Sequence, residues 1–221
     1  MQEFVDIEIP AVALERLPVF PLPKAVLLPG ELLPLHMFEP RYLDMTRDVL
    51  AGDGLLVVAQ RDENSESDPA KFLPVAGLGK VVASKELEGG RYYIVLQGLA
   101  RVDVSHEIKQ ERSYREVRAD VLFDDGTERE GMLATLQSQV VALCDRLAEQ
   151  DGVDSEKIRE LPRAADNPGQ CADIVAAAFI ESPEDRQTLL EMLDPADRLE
   201  AVVEHLAGHV VALAGGRENL N

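Results

Sequence analysis

The sequence predicts an α+β protein in which a β-rich part is followed by a helical part. Residues 17–123 contain short segments in which apolar and polar residues alternate, the period of a strand with one buried face. From residue 124 onward the apolar residues recur every three or four positions, the period of amphipathic helices. We therefore divide the chain into an N-terminal segment (1–16), a β-rich subdomain (17–123), a helical-bundle subdomain (124–214) and a C-terminal tail (215–221).

The β-rich part opens with "LPVFPLPKAVLLPGELLPLHMFEPRY", residues 17–42, which holds six of the thirteen prolines of the chain. Proline fixes φ and lacks a backbone donor, so it belongs at strand edges, turns and helix starts. No Pro-x-x-Pro register repeats through the segment, which argues against a proline-rich ligand. We interpret it as folded scaffold, with an edge segment at Pro18–Pro23, a turn at Pro29-Gly30 and a helix starting at Pro40.

Five further segments of the β-rich part have the pattern of strands: "GLLVVAQ", "VAGLGKVVAS", "RYYIVLQG", "ARVDVSHEI" and "REVRADVLF". The two glycines of "EGGR" predict a hairpin turn before the third of them. The polar stretch "RDENSESDPAKF" predicts a loop. One helix interrupts the strands, because "EPRYLDMTRDVLAG" has proline in its first turn, helical spacing of apolar residues and a glycine stop at Gly52.

The helical part begins with "TEREGMLATLQSQVVALCDRLAEQDG", whose apolar stripe predicts one long helix ending at Gly152. Three short motifs then follow, "NPGQ", "SPED" and "DPAD". Each pairs a capping side chain (Asn167, Ser182, Asp194) with proline at the first helical position and a polar third residue able to bond back. The motifs predict three short consecutive helices.

Composition limits the classes of function. The chain is 46% hydrophobic, enough for an aliphatic core, and carries 22 basic against 41 acidic residues, a net charge of −19. Such a charge opposes binding to nucleic acid and to anionic membranes. No run of about 18 apolar residues is present, and the acidic N-terminus is unlike a signal peptide, so we expect a cytoplasmic protein. Cys144 and Cys171 fit the role of small buried hydrophobes.

The sequence predicts no catalytic, cofactor-binding or metal site. "GLGKVV" lacks the spacing and the hydroxyl of a phosphate-binding loop. "HLAGH" places His205 and His209 four residues apart, but no glutamate follows the first histidine and no third ligand is apparent. The pairs Asp124/Asp125 and Asp62/Glu63 lack the alternating ligand pattern of a calcium loop, and His36 has no partner by spacing. We therefore expect a protein that is not an enzyme.

Three stretches together resemble one family. "LPVFPLPKAVLLPGELLPLHMFEPRYLDM" resembles the opening signature of the Lon amino-terminal domain, the substrate-recruiting module of Lon proteases. "GRYYIVLQGLARVDV" resembles its second landmark, a strand pair joined through a Leu-Gln-Gly-Leu corner. "DIVAAAF" and "EDRQTLLEMLDPADRLEAVVEHL" resemble its helical part. The resemblance extends from Leu17 to Leu213.

The resemblance implies a PUA-like β-pseudobarrel with an inserted helix, followed by a small helical bundle. It also implies binding of unfolded or exposed polypeptide, for a protease or chaperone partner, as an adaptor in protein quality control. A full-length Lon continues into an ATPase and a Ser-Lys protease, whereas this sequence stops at Asn221, so we expect a free-standing domain. The alternatives are an RNA-binding PUA-like module, which the charge and few aromatics oppose, and a hydrolase that uses an acidic pair.

Met37, Phe38 and Tyr42, which we expect to be exposed, are the candidate protein-binding residues, because methionine and aromatic side chains suit promiscuous contacts. The alternative is that they pack the first helix against the barrel. Glu39 and Arg41 flank Pro40, and we expect them to anchor the corner between strand and helix by charge-assisted hydrogen bonds.

Overall fold

The computed structural model describes residues 14–62, 65, 71–109, 111–125, 129–150 and 154–218, with side chains to residue 213. The chain forms two compact units, the first ending at Leu122 and the second starting at Phe123. Strands with one helix make up the described part of the first unit, and helices make up the second, which confirms the α+β class. The N-terminal thirteen residues, most of the predicted polar loop, Glu63, Gly152 and residues 219–221 lie outside the described residues.

The first unit contains the predicted helix and strands with two differences: β2 was not among the predicted strand segments, and two of those segments form the single strand β5. Its strands are β1 (Leu17–Leu22), β2 (Leu32–Met37), β3 (Leu55–Gln60), β4 (Val75–Leu87), β5 (Arg91–Glu107) and β6 (Glu116–Leu122). Helix α1 (Pro40–Ala51) follows β2 and confirms the predicted helix, with Pro40 at its first position and Gly52 just after its end.

The pairing of these strands closes into a ring, in the order β5, β4, β3, β1, β6 and back to β5. The β1–β3 pair is parallel and the other pairs are antiparallel. Strand β2 lies outside the ring and pairs with the first half of β5, whereas β6 pairs with its second half. Pro18 lies in β1 between two neighbouring strands, so the prediction of an edge segment there is wrong. The edge position belongs to β2 and Pro34.

The segment before β2 crosses the sheet at unusually short range. Leu27 and Leu28 are fully buried. A Cβ atom added to Gly77 of β4 would lie 2.1 Å from the carbonyl oxygen of Leu27, and one added to Gly98 of β5 would lie 2.1 Å from that of Leu28. The two glycines therefore let the main chain of the proline-rich segment contact the main chain of the sheet directly.

A tight turn fixes this crossing segment. The Glu31 N–H donates to the Leu28 carbonyl (3.1 Å), Pro29 and Gly30 lie between them, and Gly30 has φ 81°. Proline followed by a residue with positive φ is the signature of a type II turn, which confirms the predicted Pro29-Gly30 turn. Two backbone hydrogen bonds then join the turn to β5, from Gly30 N–H to Gly98 O (2.9 Å) and from Gly98 N–H to Glu31 O (2.8 Å).

The resemblance implied that the Leu-Gln-Gly-Leu motif is a corner between two strands, and this expectation is wrong. Strand β5 runs through it without interruption. Gly98 pairs with Gly79 of β4 and Ala100 pairs with Leu78, so that Leu99 is an extra residue on β5. The motif is a β-bulge, which bends a strand without ending it.

The second unit contains the helices α2 (Glu130–Ala148), α3 (Ser155–Glu160), α4 (Pro168–Phe179), α5 (Pro183–Glu191) and α6 (Pro195–Glu218). A short 3₁₀ turn, Leu161–Ala164, follows α3. None of the described helices combines the length and the apolar character that crossing a bilayer requires.

The three predicted capping motifs begin α4, α5 and α6, each with proline at the first position. The capping hydrogen bonds join Gln170 N–H to Asn167 Oδ1 (2.9 Å), Asp185 N–H to Ser182 Oγ (3.2 Å) and Ala196 N–H to Asp194 Oδ1 (2.8 Å). The predicted return bond takes another partner in two of the motifs. The Gln170 side chain accepts from Asp166 N–H, and Asp197 binds Arg129. The caps are confirmed, and the reciprocal capping box is not found there.

The sequence pattern missed α3. Helix α2 ends at Ala148, before the predicted Gly152, and α3 begins soon after it. The Asp154 carboxylate accepts a hydrogen bond from Lys157 N–H (3.2 Å), which caps α3. The signal was therefore present in "DSEK", but the six-residue helix is too short to show an apolar stripe.

A buried arginine lies at the centre of the second unit. Arg198 of α6 is fully buried, and its Nη2 atom is 2.8 Å from both carboxylate oxygens of Asp124. Its Nη1 atom donates to the carbonyl oxygens of Met192 (2.9 Å) and Leu193 (3.3 Å), and its Nε atom lies 3.5 Å from the Asp173 carboxylate. Asp124, one of the acidic pair singled out in the sequence, therefore anchors α6.

The two cysteines are free and fully buried, as predicted. Removal of the thiols from water raises the pKa of Cys144 to about 12 and that of Cys171 to about 11, from an ordinary value of 9.0. Above pH 9 the unfolded chain loses thiol protons that the folded chain keeps. The thiols therefore lower the free energy of unfolding as the pH rises from about 9 toward 12.

We expect both thiols to resist modification in the folded protein. With Ellman's reagent at pH 8, labelling of the native protein should be at least about 100-fold slower than labelling in 8 M urea, because the thiols must be exposed by opening before they react. The urea-unfolded protein is the control. Fast labelling of either cysteine without denaturant would contradict the burial.

Candidate functional site

The structure separates the three predicted binding residues. Met37 is 1% exposed and Tyr42 is 8% exposed, whereas Phe38 is 61% exposed. Successive side chains of a strand point to opposite faces, so Met37 at the end of β2 points into the core while Phe38 points out. The exposure expected for Met37 and Tyr42 is therefore wrong, because both pack in the core between α1 and the sheet.

Tyr42 illustrates how α1 is held. Its ring packs edge-on against Phe20 at 4.5 Å between centroids, and the Arg41 guanidinium lies 4.6 Å above the same ring. Burial raises the pKa of the Tyr42 hydroxyl. Arg41 also donates two hydrogen bonds to one oxygen of Glu39 (2.9 and 3.1 Å), which confirms the predicted anchor at this corner.

Phe38 belongs to a continuous exposed row of side chains. Along β2 the alternate residues Leu32, Pro34 and His36 are exposed, and Phe38 continues the row, with its ring 5.8 Å from that of His36. Tyr93, which pairs with His36 from the neighbouring strand β5, is 45% exposed. We call these five residues (Leu32, Pro34, His36, Phe38 and Tyr93) the outer strip.

The outer strip lies on a well-supported part of the sheet. On the opposite face, Met37 of β2 and Ile94 and Leu96 of β5 are buried in the core that α1 covers. Strand β2 pairs only with β5 among the described strands, so it is an edge strand. Pro34 lacks a backbone donor in the middle of this edge, which discourages the addition of another strand. The strip therefore offers side chains, more than backbone groups, to a partner.

A second feature of the first unit is a strap formed by the connection between β5 and β6. The Ser113 hydroxyl donates to Asp44 of α1 (2.9 Å), the Tyr114 hydroxyl donates to Asp48 (2.7 Å), and Arg112 pairs with Asp48. Burial raises the pKa of Tyr114, and its hydrogen bond to Asp48 raises it further. These contacts tie the connection to α1.

Beside the strap lies a cleft of about 220 Å³ with charged walls. Arg16 donates to both oxygens of Glu116 (2.8 and 3.0 Å), and Arg112 lies 3.4 Å from the same carboxylate. Asp48 and Glu116, the carboxylates that line the cleft and bind these arginines, are therefore neutralised by ion pairs within the protein. We therefore assign the cleft to structural ion pairing.

The remaining sequence candidates do not form a metal site in the part of the chain that the structure describes. His205 and His209 lie side by side on α6, with ring centroids 5.0 Å apart. No group of three or more His, Cys, Asp or Glu side chains suited to hold a metal ion is found among the described residues. Asp124 binds Arg198, and Glu63 is outside the described residues.

Comparison with protein families decides the affiliation of the chain. A family model described as the ATP-dependent protease La (LON) substrate-binding domain matches residues 16–208. The chain belongs to this family. The match includes nearly all of the described strands and helices and therefore the whole outer strip.

Full-length proteins of the LON family resemble the chain over most of its length. It is 30% identical over 199 residues to Lon protease 2 of Myxococcus xanthus, covering 86% of this chain and 23% of that protein. It is 24% identical over 195 residues to a Lon protease of Desulfosudis oleivorans, covering 87% of this chain and 24% of that protein. The chain thus spans about a quarter of the length of the curated relatives that it matches.

Two solved LON structures share the fold. The N-terminal domain of a Mycobacterium avium complex Lon protease has a TM-score of 0.68 at 18% identity, covering 88% of this chain and 100% of that one. A Lon N-terminal domain protein from Xanthomonas campestris has a TM-score of 0.57 at 21% identity, covering 86% and 97%. At these identities the likeness establishes the fold.

Sequence reasoning identified one of the five residues of the outer strip as a binding candidate. It found no partner for His36, and it interpreted Leu32 and Pro34 as part of a folded scaffold and Tyr93 as part of a strand. The spacing of Leu32, Pro34, His36 and Phe38 at every second residue was the available signal. His36 and Pro34 interrupt this spacing in a search for alternating apolar residues, because histidine and proline are not counted as apolar.

Proposed function

We propose that the chain is a non-enzymatic polypeptide-binding module and that the outer strip contacts exposed apolar segments of unfolded proteins. The observation that carries the proposal is the row of exposed side chains, among them Leu32, Phe38 and Tyr93, on the outer face of β2 and β5. Family membership supports it, since the matched family is described as a substrate-binding domain.

The chemistry of the strip suits a ligand of variable sequence. Phe38 and Tyr93 provide apolar area at little cost in side-chain entropy, and His36 between them adds a group that can donate and accept hydrogen bonds. We infer that the first unit is a PUA-like pseudobarrel that presents this strip. We also infer an adaptor role, in which captured polypeptide is passed to a protease or chaperone.

Replacing Phe38 by serine and Tyr93 by threonine should weaken binding of an unfolded protein at least about 10-fold. A loss of about 1.4 kcal/mol produces this change, and it is less than the free energy of burying one large apolar side chain. The ligand is a fluorescein-labelled globular protein kept unfolded by reduction and carbamidomethylation, and binding is followed by fluorescence anisotropy.

The matched control replaces Phe123, a phenylalanine outside the strip that is 78% exposed, by serine. This variant should bind like the original protein. Both variants should unfold at the same urea concentration as the parent, because the substituted side chains are exposed. Equal affinity of the strip variant and the parent, or a parent that binds no better than an unrelated acidic protein, would refute the proposal.

A further inference from the structure

We propose that the second unit carries a separate binding groove for a peptide segment in which Lys or Arg residues stand beside apolar ones. The groove lies between α5 and α6 and has a volume of about 470 Å³, within the range of small-ligand sites. The proposal relies on the proposed function only in taking polypeptide as the ligand.

The floor of the groove is apolar. Ile180, just after α4, and Leu189 of α5 both line it and are each 3% exposed, and Met192 extends the floor. His209 of α6 stands in the wall, with its ring packed edge-on against Phe179 at 6.4 Å between centroids. The groove therefore presents apolar side chains on its floor and a histidine held by an aromatic contact in its wall.

A glycine keeps the groove open. Gly208 lies in the interior of α6 and lines the groove, and a Cβ atom added to it would meet no atom within 4 Å. Glycine destabilises a helix interior relative to alanine, and close packing does not require it at this position. A locally unfavourable residue with no packing role is expected where function demands it. Here its missing side chain leaves space for a ligand.

The charges at the groove identify the occupant. Asp185 of α5 and Glu204 of α6 both line the groove, and neither carboxylate has a cationic partner in the ion pairs formed by the described residues. From Phe123 onward the chain has 8 Lys and Arg against 21 Asp and Glu, a net charge of −13. Such a surface attracts cationic segments and repels acidic ones, including a second copy of this chain.

Three labelled twelve-residue peptides test the proposal by fluorescence anisotropy, with leucine alternating with lysine, with glutamate or with serine. We expect the leucine–lysine peptide to bind at least 10-fold more tightly than the leucine–glutamate peptide, with the leucine–serine peptide between them. Equal affinities for the lysine and glutamate peptides would overturn the proposal.

Gly208→Leu should fill the groove and weaken binding of the leucine–lysine peptide at least 10-fold, while the helical unit unfolds at the same or a higher urea concentration. Because stability does not fall, loss of binding cannot be attributed to unfolding. Gly208→Ala is the matched comparison, since it gains a similar helix propensity but adds only a methyl group, and its affinity should lie between those of the parent and of Gly208→Leu. Unchanged affinity in Gly208→Leu would overturn the proposal.

Removing the two groove carboxylates in Asp185→Asn/Glu204→Gln should weaken peptide binding at least 5-fold. Glu149→Gln/Glu200→Gln has the same net charge but changes carboxylates that do not line the groove, and it should alter affinity less than 2-fold. An equal loss of affinity in the two variants would show that the peptide is attracted by the net charge alone, and it would overturn the proposal.

Two further results separate this groove from the outer strip and from self-association. The Phe38→Ser/Tyr93→Thr variant should bind the leucine–lysine peptide like the parent. If it does not, the peptide binds at the strip and the groove proposal fails, while the proposed function stands. In sedimentation equilibrium we expect Gly208→Leu to leave the oligomeric state of the protein unchanged. A dimer of the parent that is lost in Gly208→Leu would show that a second copy of the chain occupies the groove, and it would overturn the proposal.

Discussion

Replacing Gly98 by alanine should destabilise the first unit by at least about 3 kcal/mol, above the usual cost of overpacking. The new Cβ atom would lie 2.1 Å from the Leu28 carbonyl oxygen, a backbone atom that the turn at Pro29-Gly30 holds in place. Gly77→Ala should have a similar effect through the carbonyl oxygen of Leu27. Neither clash can be relieved by rotating a side chain.

Gly79→Ala is the matched control for these variants. Its Cβ atom would lie 2.7 Å from Cδ2 of Leu27, the end of a flexible side chain, so we expect a loss below about 1.5 kcal/mol. All four tyrosines of the chain lie in the first unit, at positions 42, 92, 93 and 114, so tyrosine fluorescence during urea unfolding reports on this unit alone. Equal losses in Gly98→Ala and Gly79→Ala would contradict the close backbone crossing.

Replacing Arg198 by methionine should destabilise the second unit by about 3–5 kcal/mol, the usual cost of removing one partner of a buried ion pair. The Asp173 carboxylate, only 5% exposed, would lose the cation beside it. The carbonyl groups of Met192 and Leu193 would lose their shared donor. The loss should appear in far-UV circular dichroism during urea unfolding, with tyrosine fluorescence unchanged.

Arg129→Met provides the comparison, since Arg129 also pairs with two aspartates but its side chain is 47% exposed. Surface ion pairs contribute about 0–1 kcal/mol, so this variant should be nearly as stable as the parent. The double variant Arg198→Met/Asp173→Leu should be more stable than Arg198→Met alone, because it also removes the buried carboxylate from which the Arg198 cation has been taken away. If Arg198→Met lowered the free energy of unfolding no more than Arg129→Met does, the buried network would contribute no more to stability than a surface ion pair.

The sequence predicted local signals well and long-range ones poorly. Pro29-Gly30 and the caps at Asn167, Ser182 and Asp194 were predictable because each signal acts within four residues. The ring closure between β1 and β6 was not, because it joins Leu17 to Val117 and no local pattern records that pairing. For the same reason the sequence suggested an edge at Pro18, where a partner strand is present.

The exposure expected of Met37 and Tyr42 is wrong for a physical reason. Met37 and Phe38 are both large and apolar, and composition does not distinguish a residue that packs in the core from one that binds a partner. The alternation of β2 decides between them, because one step along a strand reverses the face. The groove beside α6 was missed because its key residue, Gly208, is informative only through the empty space around it.

The pairing of Leu17 with Val117 also bears on how the protein is made. The first strand of the ring cannot complete its pairing until about 100 further residues have left the ribosome. At a synthesis rate of about 5–20 residues per second, the aliphatic strand β1 waits about 5–20 s for β6. During that interval the nascent chain exposes apolar strands of its own. It then resembles the unfolded proteins that we propose it binds once it has folded.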